Sequence, residues 1–163
     1  MPSELEDFVL KSDILVNKDW LLTQLRVNPD KLIILDCRAS NEYVESHIRN
    51  AVNLSIPSIM LRRLLNGKID LLSTIKCRDL KQRIASSYKN NIFVLYSDAP
   101  IELKNSQHSY TLKVLAKRLI QDGCQIVCLE GEFTFLFIEN HFKLQPRSKS
   151  CHPRENNQTK RHV

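Results

Sequence analysis

Glycine is scarce. The chain has three in 163 residues, Gly67, Gly123 and Gly131, and no two are close enough to build a phosphate-cradling loop. The patterns G-x-x-x-x-G-K-[ST] and G-x-G-x-x-G are both absent, which excludes the usual glycine-loop routes to nucleotide binding. No apolar run approaches the roughly 18 residues that would span a bilayer, so a membrane is not an expected partner. No basic start followed by an apolar stretch and a small-residue cleavage site occurs, so a secretory signal is not expected. The five cysteines, Cys37, Cys77, Cys124, Cys128 and Cys151, form no C-x-x-C pair. They read as reduced cytosolic or nuclear thiols. Cys124 and Cys128 flank a strand-like run; at about 3.3 Å per residue their Cα atoms stand roughly 13 Å apart, too far to share a metal ion. Cys151-His152 has no matching ligand pair, and neither a metal nor a cofactor is expected.

What is present is the balance of one globular domain: 42% hydrophobic and 26% charged residues. A chain of this length can bury a core without disulfide staples. The formal charge of +6 is uneven. Residues 143–163 hold six basic residues against one acid, so this tail carries +5 and the preceding 142 residues only +1. The tail has almost no large apolar residues and contains Pro146, Pro153 and Asn156-Asn157. Such a segment cannot offset its ordering entropy and is expected to be disordered. Its charges are scattered rather than clustered, so a solubilising end is expected and nucleic acid is not an expected partner. The expected organisation is an irregular start over 1–13, a folded body over 14–142 and the basic tail over 143–163.

Along the body, apolar runs of strand length alternate with helical periodicity. Ile14-Leu15-Val16, Leu32-Ile33-Ile34-Leu35, Ala51-Val52-Asn53-Leu54, Ile92-Phe93-Val94-Leu95-Tyr96 and Gln125-Ile126-Val127-Cys128-Leu129 read as strands. Asn17 suits the N-cap of a helix carrying Trp20, Leu21, Leu22 and Leu25, ended by Asn28-Pro29-Asp30. Ser40 suits the cap of a short helix through Ser46. Pro57 or Ser58 opens a helix with Ile59, Met60, Leu61, Leu64 and Leu65, and Gly67 suits its C′ position. Further helices are expected over 78–88 and 110–122, the second with Leu112, Leu115 and Leu119 on one face and Gly123 closing it. A final short helix is expected after Gly131, with Phe133, Phe135, Leu136 and Phe137. Continuous apolar strands between helices indicate an α/β fold, a mostly parallel central sheet with helices on both faces. Sites in such sheets form at the carboxyl ends of strands, here Asp36-Cys37-Arg38 and Ser97-Asp98-Ala99-Pro100.

The run from Asp36 to Leu54 resembles the rhodanese family: Asp36 and Arg38 after the strand, then Glu42-Tyr43, His47-Ile48 and Ala51-Val52-Asn53-Leu54. The usual Pro-Gly after His-Ile is Arg49-Asn50 here, which leaves the shape of that turn open. Most of these residues also suit structural roles, with Arg38 and Glu42 pairing at a helix start and His47 as a satisfied structural histidine. The segment from Ile56 to Gly67 resembles the kinase-binding segment of dual-specificity MAP kinase phosphatases, especially the cytoplasmic, ERK-selective branch. Val94-Leu95-Tyr96, Asp122-Gly123-Cys124 and Leu129-Glu130-Gly131 follow that branch's amino-terminal domain, with Glu132 where a second glycine is usual. The resemblance covers about residues 14–140 and implies a rhodanese-like fold, a MAP kinase partner and a cytoplasmic location.

Catalysis is not expected. A sulfurtransferase of rhodanese type needs a thiolate in the loop after the central strand, where this chain has Ser97-Asp98-Ala99-Pro100-Ile101-Glu102. That loop lacks cysteine and glycine, and its two carboxylates would repel an anion. A tyrosine phosphatase needs H-C-x5-R after a strand. The one formal C-x5-R, Cys77 to Arg83, has no preceding histidine and is filled with helix formers. The phosphatase domain that follows in the resembling family is not expected in this chain.

The resemblance instead implies docking. MAP kinases carry an acidic patch beside an apolar groove, and docking segments present basic residues before an apolar-x-apolar pair. The corresponding residues are Arg62, Arg63, Leu64 and Lys68, then Ile69 and Leu71, with Asp70 a misplaced charge for that purpose. Arginine suits the task because its planar fork pairs bidentately with carboxylates. From spacing alone, Arg62 and Arg63 better suit the wet side of a helix whose Ile59, Met60, Leu64 and Leu65 face the core, and it is the resemblance that turns the reading to docking. Ile69 and Leu71 equally suit a core, and Leu21, Leu22, Leu25 and Val27, loosely like an export signal, suit a helix interior. The alternatives to docking are a rhodanese-type sulfurtransferase and an inert short form of a dual-specificity phosphatase.

Overall fold

A computed structural model of the chain describes residues 12–97 and 107–130. Five strands, β1 (Leu15–Val16), β2 (Leu32–Asp36), β3 (Val52–Asn53), β4 (Ile92–Tyr96) and β5 (Gln125–Leu129), lie in the order β1-β5-β4-β2-β3. Every pairing is parallel. The helices are α1 (Lys18–Val27), α2 (Ser40–Glu45), α3 (Ser58–Leu65), α4 (Arg78–Ser87) and α5 (Gln107–Gln121).

The continuous apolar runs of β2 and β4 follow from cover on both faces. Side chains alternate across the sheet. Ile33, Leu35, Phe93, Leu95, Ile126 and Cys128 point to one side, where Leu61 and Leu64 of α3, Leu80 and Ile84 of α4, and Leu112, Leu115 and Leu119 of α5 close over them. Leu32, Ile34, Val94, Tyr96 and Leu129 point to the other, against Leu21 of α1 and Ile48. Burying each such side chain is worth about 1.5–3 kcal/mol, so a polar substitution in either layer costs a large share of a marginal stability.

The helix ends show how local chemistry sets the boundaries. Asn17 Oδ1 accepts from Trp20 N at 2.9 Å and starts α1 as expected. Ser40 is the first helical residue of α2 rather than its cap. Ala39 holds the cap position, and its N–H donates to the Glu42 carboxylate at 3.2 Å, so the third helical residue does the capping from within. Gly67 takes φ +72°. Its N–H donates to Leu64 O at 3.2 Å and Lys68 N–H donates to Arg63 O at 2.9 Å, the two bonds of a Schellman stop. Gly123, at φ +78°, ends α5 the same way.

The Arg49-Asn50 turn forms without glycine. Asn50 itself adopts φ +65°, a region open to asparagine at modest cost, and Ala51 N–H donates to Ile48 O at 2.9 Å across the turn. Cys37, Cys124 and Cys128 are free and buried. Cys77 departs from the expected reduced state: it is disulfide-bonded. The basic tail, the helix expected after Gly131 and the loop 98–106 also lie outside them. Among the described residues no helix is long and apolar enough to cross a membrane, and no group of acidic, histidine or cysteine residues could hold a metal ion.

Candidate functional site

The carboxyl ends of β2 and β4 carry a buried polar network. Parallel register sets Asp36 beside Tyr96. Asp36 is fully buried and Arg38 is 6% exposed. The Arg38 guanidinium grips the Asp36 carboxylate through Nε at 3.1 and 3.2 Å and Nη2 at 2.8 Å. Arg38 N–H donates to the same carboxylate at 2.8 Å, and Tyr96 Oη donates to it at 2.6 Å. Arg38 Nη2 also donates to Ser46 O, and Tyr96 Oη accepts from Ile48 N at 3.3 Å. Burial works against the Arg38 charge, but the Asp36 hydrogen bond and charge outweigh it and hold the guanidinium protonated. Burial, then Asp36, drives the Tyr96 hydroxyl far up. Neither group has a proton to trade near neutral pH. His47 stacks on Tyr43, with its Nδ1 2.8 Å from Tyr43 O.

This end of the sheet also lacks an available nucleophile among the described residues. Cys37 is buried, and desolvation with the nearby Asp36 raises its thiol well above the usual range. A reactive cysteine needs the opposite environment. Ser97 is buried at the end of β4. The formal C-x5-R of Cys77 and Arg83 runs into α4, with Cys77 at its cap and Arg83 exposed within it. A phosphate loop cannot form on a continuous helix.

The second candidate is the outer face of α3. Arg62 and Arg63 are exposed, and neither has an ionic partner among the described residues. Lys68 is exposed beside them, its backbone folded onto Arg63 by the Schellman stop. Cations in the last turn also complement the helix dipole. Asp70, which looked misplaced for an acidic partner, is engaged locally. Its Oδ1 accepts from Ser73 N at 2.8 Å and from Ser73 Oγ, and these bonds lower its pKa.

The expected contact residues divide. Arg62, Arg63 and Lys68 are outside, Ile69 is half-buried against the core, and Leu64 and Leu71 are inside at 0% and 1% exposure. Leu64 and Leu71 therefore hold the helix rather than offer a surface. The reason is spacing: Leu64 lies three residues after Leu61, on the stripe that faces the sheet. Ile59 errs in the other direction. Expected to face the core, it is 60% exposed. Helical angle was the signal for it, since 59, 62, 63 and 66 share one face at about 100° per residue.

A family model described as "Rhodanese-like domain" matches residues 17–134. The chain belongs to the rhodanese-like domain family. This rhodanese-like domain is similar to dual specificity protein phosphatase Mpk3 of Drosophila melanogaster, 50% identical over 128 residues that cover 72% of this chain and 31% of the relative. It is also similar to human dual specificity protein phosphatase 6, 33% identical over 116 residues, 71% of this chain and 30% of the relative. The chain thus spans under a third of the length of these curated relatives, and the match lies in their rhodanese-like part. A solved Rhodopseudomonas palustris protein of unknown function, described as a possible tyrosine phosphatase, shares the fold with a TM-score of 0.50 at 14% identity, covering 80% of this chain and 83% of that one.

Proposed function

We propose that this rhodanese-like domain is a non-catalytic docking module for an ERK-type MAP kinase, acting in the cytoplasm to modulate MAP kinase signalling. The observation that carries this is the pair Arg62 and Arg63, exposed side by side on α3 with no ionic partner among the described residues. Exposed guanidiniums on a helix can grip carboxylates bidentately. The similarity to dual specificity phosphatases supports the choice of partner. The contact set is Arg62, Arg63 and Lys68, with the exposed part of Ile69; Leu64 and Leu71 position it from inside.

The chemistry is binding without bond making. Such a module competes with other proteins that use the kinase's acidic patch. Rim charges raise the association rate and make it sensitive to salt. The test is the association rate with a purified ERK-type kinase as salt is raised from about 50 to about 300 mM, where screening lengths fall well below the span of the site. A steep decline supports the docking reading, and a salt-independent rate contradicts it. The sulfurtransferase alternative is tested separately: sulfur transfer from thiosulfate to cyanide by the purified chain would overturn the non-catalytic part.

A further inference from the structure

We infer that Ile59 is the apolar anchor of the docking face, seated in a depression between carboxylates of the acidic partner. This rests on the docking reading and deepens it. One exposed isoleucine needs no explanation in itself. What sets Ile59 apart is its place. Measured around the axis of α3 from Ile59, Arg63 lies about 40° to one side and Arg62 about 60° to the other, with Asn66 about 20° off. Positions three and four apart on a helix are neighbours, at roughly 5–6 Å between Cβ atoms. Two guanidiniums therefore bracket one apolar side chain that stands 60% exposed.

The opposite face of α3 is spent. Leu61 and Leu64 are buried, and Met60 and Leu65 pack against the core. Leu71, which the docking pattern offers as an apolar contact, is buried at 1% exposure. The folded domain thus has Ile59 as the large apolar group exposed on this helix. Ile59 is branched at Cβ and stiff about χ1, so fixing it on binding loses little rotamer freedom. Removing it from water between two charge pairs gives the centre-and-rim layout of an interface hot spot. The occupant must be acidic. A second copy of this chain is disfavoured, because stacking two such faces would oppose four guanidiniums.

The experiment uses the whole chain and a purified ERK-type MAP kinase. Four proteins are titrated: wild type, Ile59→Ala, Ile59→Met and the double variant Arg62→Ala/Arg63→Ala. Ile59→Ala is expected to bind about fivefold to thirtyfold more weakly through faster dissociation, with an unchanged salt slope and an undiminished melting temperature. Ile59→Met keeps the apolar volume and is expected within about threefold of wild type. If Ile59→Ala binds like wild type while the double arginine variant loses affinity, the anchor is wrong and the docking reading stands. If wild type does not bind, or the double variant binds equally well, the docking reading fails and the anchor with it. Self-association of the chain that Ile59→Ala abolishes would also overturn the assignment, replacing the acidic partner with a second copy.

Discussion

Tyr96 Oη donates to Asp36 Oδ2 at 2.6 Å across two strands that are 60 residues apart in sequence. The same carboxylate is held bidentately by Arg38. A buried charge this well paired fixes the ends of β2 and β4, and breaking it leaves an uncompensated ion.

Arg38→Ala is expected to cost about 3–5 kcal/mol in urea denaturation, since it strands Asp36. Tyr96→Phe removes one donor to Asp36 and the acceptor for Ile48 N, and is expected to cost about 1–3 kcal/mol. Arg38→Lys restores the charge but not the fork and is expected to remain well below wild type. Wild-type stability in Arg38→Ala would show that the network adds nothing.

The turn at Asn50 separates shape from sequence. At φ +65°, Asn50→Gly is expected to leave the unfolding midpoint nearly unchanged, because relief of the backbone is offset by extra freedom in the unfolded chain. Asn50→Val, which resists this region, is expected to cost about 1–2 kcal/mol. Equal midpoints for glycine and valine would contradict the left-handed turn.

Stability is expected to fall on the alkaline side. Burial raises the thiols of Cys37 and Cys124 and pushes Cys128 up to about 12. The Tyr88 and Tyr96 hydroxyls are raised as well, first by burial and then by Asp122 and Asp36 respectively. In the unfolded chain thiols release protons near about 8.5 and tyrosines near about 10. The folded state keeps protons that the unfolded state releases, so unfolding free energy drops as pH rises through that window. Melting temperatures from pH 7 to pH 10 should hold steady and then decline above about 8.5. A Cys128→Ala variant should decline less steeply. A flat profile would mean these groups are not shielded as described.

Much of the fold was legible because burial writes itself into sequence. Residues 32–35 of β2 and 92–95 of β4 are apolar throughout, and Gly67 and Gly123 mark helix stops by their freedom at positive φ. The network was half legible: Asp36 and Arg38 stand out after β2, but Tyr96 joins them only through the strand register. The α3 face was misjudged in detail. The amphipathic reading turned Ile59 inward and the resemblance offered Leu71 to a partner, while packing puts Leu71 in the core and leaves Ile59 in water. Residue type alone cannot assign a side; the angle around the helix does.

The central claim is most directly tested by titrating a purified ERK-type MAP kinase with the whole chain, wild type against Arg62→Ala/Arg63→Ala. Both side chains are exposed, so the double variant should keep its fold and melting temperature. It is expected to lose about tenfold or more in affinity, mainly through slower association at low salt. Equal affinity for the two proteins would contradict docking through α3.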